Sequence, residues 1–271
     1  VRASSHLPQL HGRLDLTFER RRGTTRLVAS EQTPPLNVSR VLRTEEVDLA
    51  TVYLVETSGG VVSGDSQTIA IYVGEGARVE LIPQSATKVY PSRKQGESST
   101  QQVWLRVDEG AAAFWKPESI IPFRKASFLQ STRFHLHSSS TFFYGDMLTP
   151  GRVHHNERFQ YEQVDSLVEI YLDETLVVHD RVHLQPKDQL QTIGRLDGYS
   201  YYGAVWMHAP ILKGAHLEQW MENGGQNDRF AYTCVAEGLI HVRWLSESSW
   251  RLRAALNDLY TAFRTFALKG E

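Results

Sequence analysis

Four carboxylates stand where a purely solvating charge is not expected. Asp65 closes a Gly-rich stretch, Ser58-Gly59-Gly60-Val61-Val62-Ser63-Gly64. Glu118 lies within Pro117-Glu118-Ser119-Ile120-Ile121-Pro122-Phe123, Asp146 follows Phe142-Phe143-Tyr144, and Glu157 follows Gly151-Arg152. An acid beside apolar or backbone-restricting residues has two uses: it pairs or caps locally, or it offers weak oxygen ligands to a cation. Histidines form the second group. His154-His155-Asn156-Glu157 has the residue types of a metal-dependent hydrolase. On a strand, however, adjacent side chains point to opposite faces, so one segment would not aim both imidazoles at one metal. His135 and His137 share a face, but Arg133 shares it too and would repel a cation. No Ser/His/Asp grouping can be assembled from spacing.

Gly59, Gly60 and Gly64 resemble a phosphate loop only superficially. The Lys is missing, and Thr68 to Val73 reads as strand, so no helix N-terminus follows to bind phosphate. The glycines instead permit a tight backbone path beside Asp65, with at least one in a region closed to residues bearing a Cβ. Walker, dinucleotide and Gly-x-Ser-x-Gly signatures are absent from the sequence.

The elements that would position these groups are strands. Val103, Leu105 and Val107 alternate with Gln102, Trp104 and Arg106; Phe134 and Leu136 do the same, and so do Val79 and Leu81. Each reads as a half-buried strand with one wet face. Turn signals recur at Ser58-Gly59-Gly60, Gly74-Glu75-Gly76, Asp108-Glu109-Gly110 and Pro150-Gly151. A repeat is visible: Glu75-Gly76-Ala77 and Pro83 recur as Glu109-Gly110-Ala111 and Pro117, both 34 residues on. A degraded copy spans Phe134 to Asp146, with Ser138-Ser139-Ser140 in place of the Gly turn. Stacked units of this kind bury a face that one unit could not.

The expected fold is mainly β: stacked strands with β-helix-like topology and few helices, one of them C-terminal. No linker divides residues 1–271, which read as a single domain. Leu252, Ala255, Leu256, Leu259, Phe263 and Phe266 follow helical spacing after Trp250, with Ser248 or Ser249 as cap and Gly270 as stop. That stripe is expected to pack on the sheet. A second helix is expected from Gly214 to Met221, followed by a loop at Gly224 to Asp228.

Composition sets limits on function. Apolar residues are 41% and charged residues 22%, enough for a sizeable core. The 29 Lys and Arg against 31 Asp and Glu leave a net charge of −2, which gives no sign of a nucleic-acid partner. No apolar stretch is long enough to span a membrane, and Val1 to His11 lacks the apolar run of a secretory signal. Cys234 is the single cysteine, so an internal disulfide or Cys-based zinc site is impossible. One thiol fits a reducing cytoplasm, and Cys234 reads as a small buried hydrophobe on a strand.

Five segments together resemble the UreD (UreH) family of urease accessory proteins. They are Thr57 to Asp65, with Gly-Gly-x-x-x-Gly-Asp; Pro83 to Tyr90, with Gln-x-Ala-Thr-Lys-x-Tyr; Pro117 to Phe123; Gly151-Arg152 with Glu157-Arg158-Phe159; and Gly238 to Arg243. Order and spacing hold over roughly residues 10–265. Asn156 stands where the family often has Gly, and Lys116 where it often has an apolar residue.

The resemblance implies a cytoplasmic, non-enzymatic assembly factor for a nickel enzyme. It implies binding to apo-urease and UreF, and through UreF to the nickel-carrying GTPase UreG. It implies no tightly bound cofactor, only transient Ni2+. A subset of Asp65, Ser85, Glu118, Asp146 and Glu157 would face an internal hydrated passage. Asp146 and Glu157 would converge across the Pro150-Gly151 turn. The competing reading is a metal-dependent hydrolase using His154, His155 and Glu157.

Overall fold

The computed structural model describes residues 9–44, 48–94, 96–188, 190, 192–221 and 228–269. The chain opens with a long hairpin, β1 (His11–Arg21) and β2 (Thr24–Thr33), then short β3 (Leu36–Val38) and β4 (Leu42–Thr44). β5 (Leu49–Glu56) leads into three similar arches. The first is β6 (Ser66–Val73) and β7 (Arg78–Pro83), continued by β8 (Thr87–Val89). The second is β9 (Ser99–Val107) and β10 (Ala112–Trp115), continued by β11 (Glu118–Pro122). The third is β12 (Ser127–Leu136) and β13 (Thr141–Leu148). β14 (Gln163–Leu172), β15 (Thr175–Leu184) and β16 (Tyr201–His208) follow, then helix α1 (Gly214–Met221), β17 (Arg229–Ala236), β18 (Leu239–Ser246) and helix α2 (Ser249–Lys269).

Each arch sends its first strand to one sheet and its second to another. The first sheet runs β15-β14-β12-β9-β6-β1-β2, and the second runs β17-β18-β16-β13-β10-β7-β5-β3. Ser66 pairs with Thr100 and Arg78 with Ala112, both parallel, so the 34-residue repeat is one step of the stack. The Phe134–Asp146 unit is the next step: Ser99 pairs with Phe128 and Ala112 with Thr141, a 29-residue step. Turns at Gly76 and Gly110 need positive φ, 64° and 61°. Antiparallel hairpins flank this β-helix-like middle at both ends.

Alternation along β13 serves two cores. Phe142 and Tyr144 point between the sheets, where Phe142 packs on Phe134 with ring centroids 4.6 Å apart. Phe143 points the other way, onto Phe263 of α2 at 5.5 Å. α2 therefore covers the second sheet, as its stripe requires. Ser248 caps it, its Oγ accepting from Arg251 N–H at 3.3 Å and its carbonyl from Leu252 N–H at 3.1 Å.

Three expectations are corrected. The wet face of β7 is covered: Glu80 lies under α2, accepting from Tyr260 Oη at 2.7 Å and Thr51 Oγ1 at 2.8 Å and pairing with Arg264 at 3.0 Å. Cys234 is on the expected strand but exposed, because β17 is an edge strand paired only to β18. Trp250, at the head of the stripe, is 75% exposed. The expected loop at 224–227 and stop at Gly270 lie outside the described residues.

Phe263→Ala should cost about 3–5 kcal/mol in denaturant unfolding, because the ring is fully buried among aromatic neighbours. Trp250→Ala should change stability by under about 0.5 kcal/mol.

Candidate functional site

The sandwich is not filled at one end. A cavity of about 90 Å³, counted as space open to a water's centre, lies between the sheets. Its wall on the first sheet combines Leu14, Ile69 and Val103 with Gln67, Gln101 and Gln130, three members of a polar ladder that Ser166 extends toward a second cavity. Gln67, Gln101, Gln130 and Ser166 are register partners on successive parallel strands. Gln101 donates to Gln67 at 2.9 Å, Gln130 to Gln101 at 3.2 Å, and Ser166 Oγ to Gln130 at 2.9 Å. Parallel stacking puts like residues at one height, so each amide satisfies the next.

The facing wall carries Glu118, Ser119, Tyr144 and Asp146 of the second sheet and Ser85 of the bend between β7 and β8, among apolar neighbours that include Trp115 and Ile120. Glu118 and Asp146 are register partners on β11 and β13. Tyr144 Oη donates to Asp146 Oδ2 at 2.6 Å. A second, smaller cavity of about 30 Å³ also touches Asp146, and beyond it Ser166, Asp180, Tyr202 and Trp206. Asp146 thus stands at the junction of two cavities. Asp146 is half-buried by accessible surface. Burial raises its pKa to about 6, with the Tyr144 hydrogen bond opposing. Beside the second cavity Asp180 Oδ2, Tyr202 Oη and Trp206 Nε1 are enclosed without a hydrogen-bond partner, while Asp180 Oδ1 pairs with Arg243. Both cavities are lined mainly by apolar side chains, the second almost wholly so, and Asp146 is the carboxylate they share.

The expected site residues separate into two sets. Ser85, exposed at the mouth, and Glu118 and Asp146 inside share the first cavity. Glu118 Oε1 accepts from Arg253 Nη1 at 3.0 Å, and Arg253 Nη2 donates to Ser119 Oγ at 2.7 Å. Asp65 is elsewhere in role: Oδ1 accepts from Leu10 N–H at 2.8 Å and Oδ2 from Val62 N–H at 2.9 Å, so both oxygens brace the Gly turn. Glu157 does not converge with Asp146. Arg152 holds both its oxygens, at 2.8 and 2.7 Å, and this pairing lowers its pKa to about 2. Asn156 explains its departure from Gly, since it sits in the left-handed region at φ 59° that Asn tolerates.

His154 and His155 lie on a 3-10 turn, Val153–His155, rather than on a strand, and both are exposed. With Glu157 committed to Arg152, they do not form a three-ligand centre; among the described residues no group of three His, Cys, Asp or Glu could hold a metal. The Gly turn behaves as expected. Gly60 has φ 137°, and a Cβ there would lie 2.5 Å from the Lys88 carbonyl, which Val61 N–H binds at 2.8 Å.

Sequence comparison agrees with this architecture. A family model for the UreD urease accessory protein matches residues 10–271. The urease accessory protein UreD of Lysinibacillus sphaericus (strain C3-41) is 34% identical over 252 residues, 92% of this chain and 94% of that protein. The chain belongs to the UreD family of urease accessory proteins. UreD of Sporosarcina pasteurii is likewise 34% identical, over 93% of this chain and 99% of its own length. UreD of Bacillus sp. (strain TB-90) is 29% identical over 88% of both. A role in urease maturation follows. Among the described residues no helix is long and apolar enough to cross a membrane.

Two predictions concern this site. Folded Asp146 keeps its proton to higher pH than the unfolded chain, so its ionisation inside the fold costs stability. That cost grows from about pH 4 to about pH 6 and is constant above. Asp146→Asn should therefore raise stability at pH 7 by up to about 3 kcal/mol, two units at about 1.4 each, and leave it unchanged below about pH 4. Urea unfolding of both proteins across that range checks the sign. Gly60→Ala should cost about 1–3 kcal/mol, from strained backbone pressed on a carbonyl. Gly59→Ala, where nothing lies within 4 Å, should cost about 1 kcal/mol.

Proposed function

We propose that this chain is a non-enzymatic scaffold for urease maturation whose interior conducts nickel. In this reading it binds apo-urease and UreF in the cytoplasm, and UreF brings the nickel-carrying GTPase UreG. Ni2+ is cargo, held transiently, and no cofactor is tightly bound. The observation that carries the reading is Asp146, a half-buried carboxyl that lines two adjoining, mainly apolar cavities. A conduit must admit a divalent ion and release it. Thiolates or clustered imidazoles would hold nickel too tightly, whereas carboxylate, amide and hydroxyl oxygens exchange it more readily. The cavity walls carry that softer-binding set: Ser85, Glu118 and Asp146 facing Gln67, Gln101 and Gln130. Asp65 and Glu157, bound to backbone and to Arg152, serve structure in this reading.

The ion's energetics favour Asp146 over Glu118 as the selective point. Glu118 already has Arg253 as counter-charge, while Asp146 accepts from the Tyr144 phenol and has no ion-pair partner among the described residues. A desolvated carboxylate without a cation is costly, so an arriving cation relieves that cost. A pKa near 6 also lets a proton replace the departing ion.

Amide variants test this. Asp146→Asn keeps size and the Tyr144 contact but removes the charge. Urease activation in cells at limiting nickel should fall about tenfold or more, with the UreF–urease complex recovered at normal yield. Glu157→Gln should leave activation per assembled complex unchanged. Full activation with Asp146→Asn at equal complex yield would rule out the conduit; loss of the complex would favour a purely docking role.

A further inference from the structure

A third feature lies outside the cavities. An open groove of about 560 Å³ runs between the Val153–His155 turn and the first turn of α2. Its charged lining has one sign: Lys88, Arg152 and Arg253, with His154 and His155 beside them and no carboxylate. The acids that pair with the two arginines, Glu157 and Glu118, are outside that lining. Both arginines already carry a carboxylate, so Lys88 is the cation of that lining left without one among the described residues. One further observation bears on the occupant. Trp250 is 75% exposed at that rim, a large apolar surface left in water. Exposed Trp beside arginines is the composition of a protein-binding anchor.

We propose that this groove docks an acidic peptide segment of a partner protein, a carboxylate set against Lys88 and an apolar side chain set against Trp250. The proposal rests on the scaffold reading but concerns a different surface from the nickel path. The occupant would sit against the cavity wall, because Ser119 lines both spaces and Arg253 reaches from the groove to Glu118.

The test uses the full chain in cells that carry the urease genes. Trp250 is replaced by the photo-cross-linker p-benzoylphenylalanine, and the cross-linked peptide is identified by mass spectrometry. The expected product is one segment of net negative charge. Lys88→Glu, at an exposed position, should lower its yield by about tenfold, and exchanging one acid of the segment for Lys should restore it. A neutral or basic segment, a nucleic-acid adduct, no product above the unirradiated control, or a yield indifferent to Lys88→Glu would overturn the proposal. If Lys88→Glu lowers the thermal midpoint, the acid-to-Lys exchange against wild type decides alone: unchanged yield overturns, reduced yield supports. Asp146→Asn activation reports on the conduit independently, so either idea can fail without the other.

Discussion

Arches stack in this protein so that each residue lies over its counterpart 34, 29 or 36 positions earlier in the chain. Parallel pairing of long strands fixes that register, and a slip of one residue would turn every apolar side chain outward. The register has a second consequence. Polar residues at one height, Gln67, Gln101, Gln130 and Ser166, become a continuous hydrogen-bonded strip inside the core. Without the stack each would be a buried amide in need of a partner. With it, they make a wall that tolerates water and leaves a cavity where a sandwich would otherwise close on Leu, Val and Phe.

Asp146 lines the same cavity as that wall. It belongs to β13, whose neighbours on the same strand fill two apolar cores. A carboxyl in such a strand carries a desolvation cost that Tyr144 only partly offsets, which is why its pKa rises. α2 supports the arrangement from behind. It buries the outer face of the second sheet and, through Arg253, supplies the cation that holds Glu118. The fold thus places one neutralised acid and one strained acid in register on adjacent strands. In the proposed role, stability and conduction would pull in opposite directions at Asp146, as is common where a site works through an unfavourable group.

Much of this was legible from the sequence. Period-two alternation located the strands, and the Gly and Pro landmarks gave the 34-residue step that proved to be one rung. Helical spacing from Leu252 to Phe266 located α2. The amide ladder was also encoded, since Gln67 and Gln101 differ by the same 34 residues. It was missed because glutamine on a strand reads as a wet face unless the repeat is applied to polar positions too. Asp146 and Glu157 look alike by position, both flanking Pro150-Gly151. Their fates differ through tertiary partners: Arg152 curls back on Glu157, whereas Asp146 faces the ladder. Cys234 misled because burial depends on where a strand sits in its sheet, and local pattern does not encode an edge.

The central claim is that nickel travels through the space beside Asp146. A steric block tests it most directly, because it alters no charge. Ala86, half-buried, lines the first cavity beside Ser85. With Ala86→Phe, the transfer of radiolabelled nickel from loaded UreG to apo-urease is followed in the purified complex. The account predicts transfer slowed about tenfold or more, at unchanged complex yield and unchanged nickel loading of the GTPase. Transfer at the wild-type rate through a complex whose cavity is shown to be filled would contradict it.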